Sequence, residues 1–370
     1  FHRTPIAAAL PRLPLVLLII ALTAGLATGI LRRNGIAASL QDFRQFSEFL
    51  VLFWLVVQCA GTRDQAFSIA LCYVLGSTLV AIHGIVQQFT YIGVSEVQIA
   101  SDLVLHQGLR SGSFYGATAL GGMMVLACGP AAGVLLATRR RGVQALILLC
   151  VVLCLLAMVY TKTRGSWVGL LVSVVFFAAT VRPSRRVILG GAGLIVAFGL
   201  LLGPLIVHRL ATLADPENDR SLMDRAQYYA AAYHIGRAHP ILGLGWGCYY
   251  DIDAILKNEG YLRVPRPDAA TLALIEKEKG TSEATVHSAY LQLFVKSGAL
   301  GVVGFLGILL VWLERAWRAR KAAHARDSGW ALYAGVTAGL AGYLFHSTFE
   351  NFFQWPVMSQ SFWLLMGLSF

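Results

Sequence analysis

Ten apolar runs constrain this chain more than any other feature. They cover roughly residues 14–30, 46–60, 66–91, 116–137, 143–160, 166–181, 187–206, 298–313, 329–349 and 357–370. A helix needs about 20 mostly apolar residues to cross a hydrocarbon core ~30 Å thick, and several of the runs reach that length. Backbone groups in lipid must bond within their own segment, so the expected fold is all-α, a polytopic helical membrane protein with about ten transmembrane helices visible. With 57% hydrophobic and 13% charged residues and a mean hydropathy of +0.65, the chain is not an ordinary soluble enzyme, which carries about a quarter charged residues. Gly25–Gly29, Gly199–Gly203 and Gly335–Gly339 have the spacing that lets helices approach closely.

The formal charge of +11 does not indicate nucleic acid, because the arginines lie between apolar runs and report topology instead. Arg139, Arg140 and Arg141 follow the fourth run. Arg182, Arg185 and Arg186 follow the sixth, and Arg315, Arg318, Arg320, Lys321 and Arg326 follow the eighth. In an alternating count these loops share one side, the cytoplasmic one. Residues 207–286 then fall outside the cytoplasm, holding 11 of the 19 acids but nine of the 30 basic residues. Three regions follow: N-terminal transmembrane helices over 1–206, a loop domain with short helices over 207–286, and C-terminal transmembrane helices over 287–370. The loop 31–45, with Arg32, Arg33 and Arg44, comes out external although it is basic. Either the count is off, the arginines meet lipid headgroups, or they serve an anionic substrate. The chain starts at Phe1 and is still apolar at Phe370, so both ends are expected to belong to a longer protein.

Within 207–286 a polar turn at Asp215–Asp219 precedes a helix over about Leu222–Ala238, which stops at His239-Pro240 because proline disfavours helical geometry just before it. Gly243-Leu244-Gly245-Trp246-Gly247 reads as a tight turn re-entering at the membrane face, with Trp246, Tyr249 and Tyr250 suited to the interface. Asp251 and Asp253 spell a D-x-D pattern, a weak metal signal. Residues 255–283 read as a loop. A helix from about Thr285 places His287, Tyr290 and Leu291 on one face at the aqueous boundary. His287 is the candidate general base, since imidazole accepts a proton near neutral pH; a lone histidine there is more often an interfacial hydrogen-bonding residue. His346 is the reserve candidate. Arg164, Arg225 and, more weakly, Arg110 lie on the same face, and guanidinium forks bind phosphate oxygens in pairs, so together they read as a diphosphate clamp. Cys150 and Cys154 share a helix face as buried thiols, and no zinc site follows from the six cysteines.

These residues, in order, resemble the O-antigen ligase and polymerase superfamily. The resemblance is carried by Arg164-Gly165, Arg225 with aromatics three and four residues on, His239-Pro240-Ile241-Leu242-Gly243-Leu244-Gly245, His287-Ser288-Ala289-Tyr290-Leu291 and Gly298-Ala299-Leu300-Gly301. The family histidine motif usually continues with asparagine, where this chain has Ser288. The resemblance implies a glycosyltransferase of the Gram-negative inner membrane, with about twelve spans and the large loop in the periplasm. Its donor would be a glycan on undecaprenyl diphosphate and its acceptor a sugar hydroxyl of lipid A–core, with membrane lipids as surroundings. No cofactor, metal or nucleic acid is implied. His287 would act on the hydroxyl, Arg164, Arg225 and Arg110 would hold the diphosphate, and Glu350 or Tyr290 would orient the histidine or meet the acceptor. A single dominant loop favours a ligase over an O-antigen polymerase or a protein O-oligosaccharyltransferase. A membrane transporter lined by His83, Gln87 and Gln88 is the alternative from another class.

Overall fold

A computed structural model describes residues 11–32, 34–96, 98–99, 102, 109–181, 203, 220–248, 286–322 and 328–370. Its regular elements are α-helices plus one short 3-10 turn, Phe352–Gln354: α1 (Arg12–Leu31), α2 (Ile36–Cys59), α3 (Arg63–Thr90), α4 (Ala117–Ala137), α5 (Arg141–Tyr160), α6 (Arg164–Val181), α7 (Arg220–Ala238), α8 (Ala289–Ala322), α9 (Ser328–His346) and α10 (Pro356–Leu368). The all-α class therefore holds among the described residues. Six of these helices, α1, α3, α4, α5, α6 and α8, are long and apolar enough to cross a membrane. The chain is a multi-pass membrane protein. The expected run at 187–206 lies, apart from Gly203, outside the described residues, as do the arginines at 182, 185, 186 and 326.

Boundaries differ from the apolar runs where polar residues belong to a helix. The expected loop 31–45 shrinks to a four-residue connection, because α2 starts at Ile36. Its buried positions Ser39, Asp42, Phe46, Phe49, Phe53 and Val56 alternate by three and four, the spacing of one helix face. Arg44 is therefore a helix residue, 3.4 Å from Glu48 one turn on and well exposed. At the start of α3, Thr62 and Gln65 form a reciprocal capping box, satisfying two of the donors that a helix start leaves open.

Glycines set the closest approaches. Gly129 and Gly133 of α4 face Gly335 and Gly339 of α9 so tightly that any side chain would strike backbone. With little hydrophobic drive between helices in lipid, this contact supplies packing. On α1, Gly29 meets Ser39 of α2, and Gly25 and Gly29 together make room for a further residue. They receive Trp246, whose ring would lie 2.6 Å from a Cβ on Gly25. Inside α8, Gly298 breaks the helix with φ +62°. The chain at Pro240–Gly245 docks into that break. Leu244 and Gly245 donate to the carbonyls of Val295 and Lys296 (2.8 and 3.1 Å), while Ala299 and Leu300 donate to those of Pro240 and Ile241 (2.8 and 3.3 Å). The His239–Gly245 and Gly298–Gly301 motifs of the resemblance are thus partners in one backbone joint.

One end of the bundle gathers the polar chemistry. The C-terminal ends of α1, α3, α5 and α9, the start of α8 and the described segment 220–248 meet there. Asn34 bonds the Leu244 carbonyl (3.1 Å), the Arg110 Nε bonds the Thr161 carbonyl (3.1 Å), and Gly165 backs onto His346. Arg32 belongs to this end too, its guanidinium 3.0–3.2 Å from the ring nitrogens of His239. Burial, and then the Arg32 charge, lower the His239 pKa. Arg139–Arg141 and the basic tail of α8 lie at the other ends of their helices.

Candidate functional site

At the polar end, Glu350 joins two of the expected residues. It sits in the turn after α9, 7% exposed. One carboxylate oxygen is 3.0 Å from His287 Nδ1, and the other is 3.6 Å from an Arg225 guanidinium nitrogen. Burial raises the Glu350 pKa, but the His287 hydrogen bond and the charges of His287, Arg225 and His346 outweigh it and hold the carboxyl below its ordinary value. The group is therefore ionised and only accepts hydrogen bonds. The hydrogen bond then comes from His287 Nδ1–H, and in the neutral form of that tautomer the ring's lone pair sits on Nε2. The histidine side chain is 37% exposed, so a substrate can reach it.

The backbone around His287 is held from a third element. The Tyr229 hydroxyl on α7 lies 3.1 Å from the His287 carbonyl and 3.0 Å from that of Thr348, and the Tyr228 ring stands 5.3 Å from the imidazole. Burial raises the Tyr229 pKa, with Arg225 opposing and Glu350 adding, so the phenol stays a neutral donor. His287 is not on the helix as expected. α8 begins at Ala289, and Ser288 accepts weakly from the Leu291 amide (3.4 Å). Ser288, where the family has asparagine, serves the helix start, while Glu350 orients the imidazole. Arg225 lies in the second turn of α7, and its Nε is buried with no acceptor among the described residues.

Arg164 opens α6. Its neighbour Gly165 packs against the imidazole of His346, which in turn interacts electrostatically with Glu350 and Arg225. Arg164 thus opens the helix whose first turn lies against His346. Arg110 stands behind Arg164, its guanidinium donating to the Thr161 carbonyl and to the Thr163 hydroxyl, both at 3.1 Å. It braces the short turn that carries Arg164. Its own amide donates to Asp102 (2.9 Å), whose pKa is raised by burial against the pull of Arg110 and Lys162. In that turn Lys162, 8% exposed, holds a left-handed backbone at φ +51°. The sequence offered no sign of its burial.

Other expected residues sit elsewhere. The Tyr290 hydroxyl donates to the Leu344 carbonyl (3.0 Å), pinning α8 to α9. Trp246 is not an interfacial residue. It is 3% exposed, and its indole nitrogen donates to the Leu22 carbonyl (2.9 Å). His83 bonds Ser113 (3.0 Å), Gln87 accepts from the amides of Gly112 and Ser113 (both 3.0 Å), and Gln88 accepts from Ser111 (2.9 Å). The three residues considered for a transport path are thus engaged in holding the Ser111–Ser113 loop. Asp251 and Asp253, Tyr249 and Tyr250, the Asp215–Asp219 turn and the 255–283 loop lie outside the described residues. Among the described residues no three histidine, cysteine, aspartate or glutamate side chains gather as metal ligands.

His287, Glu350 and Arg225 thus meet at one end of a bundle whose helices include six long and apolar enough to cross a membrane. Residues 149–306 match the family model described as O-antigen ligase. The match includes Arg164, Arg225, His287 and Tyr290, and it bears out the resemblance read from the sequence. Arg110 and Glu350 lie outside it. The similarity, over less than half of the chain, is to a family of glycosyltransferase-like enzymes of the ligase or polymerase kind. No curated protein matches the chain.

Proposed function

We propose that this protein is an O-antigen ligase in lipopolysaccharide biosynthesis. It would transfer a glycan from undecaprenyl diphosphate to a sugar hydroxyl of lipid A–core at the periplasmic face of the Gram-negative inner membrane. The observation that carries this reading is the Glu350 carboxylate held between His287 Nδ1 at 3.0 Å and Arg225 at 3.6 Å. His287 Nε2 takes the proton of the acceptor hydroxyl as its oxygen attacks the anomeric carbon. The bond from that carbon to the diphosphate oxygen breaks, and undecaprenyl diphosphate leaves with the electron pair. Attack from the face opposite the leaving group inverts the configuration.

Arg225 and Arg164 meet the charge that grows on the leaving diphosphate, and Arg110 supports the Arg164 turn. Donors fixed in place before reaction stabilise such charge without reorganising. The reaction needs no cofactor or divalent metal, since guanidinium groups do the electrostatic work. The diphosphate linkage supplies the driving force. In this reading 1–206 and 287–370 form the transmembrane part, with about ten helices, and 207–286 is the periplasmic loop domain.

The test offers the purified, lipid-embedded protein an undecaprenyl-diphosphate glycan in chelator with lipid A–core, with a periplasmic protein, or with no other acceptor. Glycosylated lipid A–core is the expected product. Lengthened donor alone would make the enzyme a polymerase, glycosylated protein would make it a protein O-oligosaccharyltransferase, and a strict divalent-ion requirement would return attention to Asp251 and Asp253.

A further inference from the structure

A pocket beside the His287–Glu350 group is lined by two residues that each carry a buried polar atom with no partner among the described residues. Gln292, 4% exposed, uses its oxygen to accept from the Val286 amide (3.0 Å), but its buried Nε2 has no acceptor. Asn351, 2% exposed, has a buried Oδ1 with no donor. Both side chains line one pocket, together with Asp42, Lys296 and the aromatic rings of Phe46, Trp246 and Phe353. Asn351 directly follows Glu350 and Ala289 is also in the wall, so the pocket adjoins the base. A buried group left without a partner costs about 1–3 kcal/mol, and two such groups of opposite sense in the wall of one pocket point to a ligand.

The lining chemistry narrows what that ligand is. Lys296 Nζ is 2.8 Å from an Asp42 oxygen, with both side chains 7% exposed, and the same oxygen accepts from the Gly247 amide (2.9 Å). The charges cancel at contact distance, so the pocket favours neither an anion nor a cation. An alkyl chain would leave both amides unsatisfied. A hydroxyl accepts from the Gln292 amide and donates to the Asn351 oxygen with a single atom. Phe46, Trp246 and Phe353 supply the apolar part of the wall. The cavity measures about 30 Å³, room for a water-sized group, so a single sugar hydroxyl enters and the rest of the glycan stays outside.

We infer that Gln292 and Asn351 form a sugar-hydroxyl subsite, selecting the saccharide presented to His287. This rests on the glycan-transfer reading above and adds the residues that recognise a sugar. The same hydroxyl chemistry belongs to acceptor and donor glycans, so both are offered. The full chain in nanodiscs is titrated with delipidated core oligosaccharide, and separately with a water-soluble form of the donor glycan. One of the two should bind the wild-type protein. Gln292→Glu, which keeps the oxygen that meets Val286, and Asn351→Leu should each weaken that binding about 10- to 100-fold, and a deoxy analogue lacking the recognised hydroxyl should lose affinity in wild type but little more in the variants. Asn351→Ser is the second variant should the leucine protein fail to insert, with the same loss expected. Wild-type affinity in the variants for both saccharides, or no binding of either to wild type, means the pocket holds only water and overturns the inference. Saccharide binding that depends on Gln292 and Asn351 in a protein that transfers nothing would leave the subsite standing and sink the transfer reading.

Discussion

Replacing Glu350 by glutamine tests the site at the bond on which its chemistry depends. The two carboxylate oxygens face two donors, His287 Nδ1 at 3.0 Å and Arg225 at 3.6 Å. An amide offers one oxygen and one NH2. Arginine only donates, so the amide oxygen turns to Arg225 and the NH2 turns to His287. Nδ1 must then present its lone pair, which moves the ring proton to Nε2. The atom that should accept the substrate proton becomes protonated, while side-chain volume barely changes. General-base assistance contributes about 10²- to 10⁴-fold, or roughly 3–5 kcal/mol of barrier. Glu350→Gln should therefore lower single-turnover transfer by about that factor, with donor affinity reduced far less. The assay is product formation under donor saturation, with expression and melting temperature followed alongside. Transfer within threefold of wild type by a correctly inserted Glu350→Gln protein would refute the tautomer argument.

Arg225→Lys keeps the charge but loses the planar fork, so donor KM should rise about 10-fold, and Arg225→Ala should cost more because it leaves Glu350 buried without that partner; equal donor KM in all three proteins would remove Arg225 from diphosphate binding. Gly298→Ala should destabilise by about 2 kcal/mol or more, because its φ of +62° is strained for alanine and the added Cβ meets the Ile241 carbonyl; an unchanged melting temperature in detergent would contradict the backbone joint. The folded-state pKa of Glu350 lies below its ordinary 4.5, so its ionisation adds stability above that pH and loses it as pH falls through the folded value. Wild type should thus lose its advantage over Glu350→Gln below about pH 4.5, and parallel melting curves down to pH 3 would count against the ionised pair. A cysteine at Tyr233, which is 64% exposed, should react with an impermeant thiol reagent from the periplasmic side, and one at Arg318 only from the cytoplasm; the reverse pattern would invert the proposed orientation.

The helices were legible where apolar residues run unbroken, as in α4 and α5. The first half of α2 was not, because Ser39 and Asp42 occupy its buried face and lower the local hydropathy. Asp42 is tolerable there because Lys296 of α8 lies against it, and no local pattern discloses a partner 254 positions away. Trp246 failed for a related reason. A tryptophan between glycines reads equally as an interfacial residue or a core plug, and the space left by Gly25 and Gly29 decides for the core. At the site, residue types and order pointed to His287 and Arg225, and the family resemblance added Glu350, but the hydrogen bond between His287 and Glu350 was not visible, since it joins residues 63 positions apart. The unpartnered amides of Gln292 and Asn351 were silent in sequence, because their significance lies in what fails to surround them.

The central claim is that one imidazole, backed by a carboxylate and flanked by guanidinium groups, activates the acceptor hydroxyl. The most direct measurement is single-turnover transfer from undecaprenyl-diphosphate glycan to lipid A–core by His287→Ala protein reconstituted in the same vesicles as wild type. The account predicts that donor still binds while product falls at least 100-fold at neutral pH, roughly the lower bound for loss of a general base. Undiminished product from His287→Ala protein would contradict it.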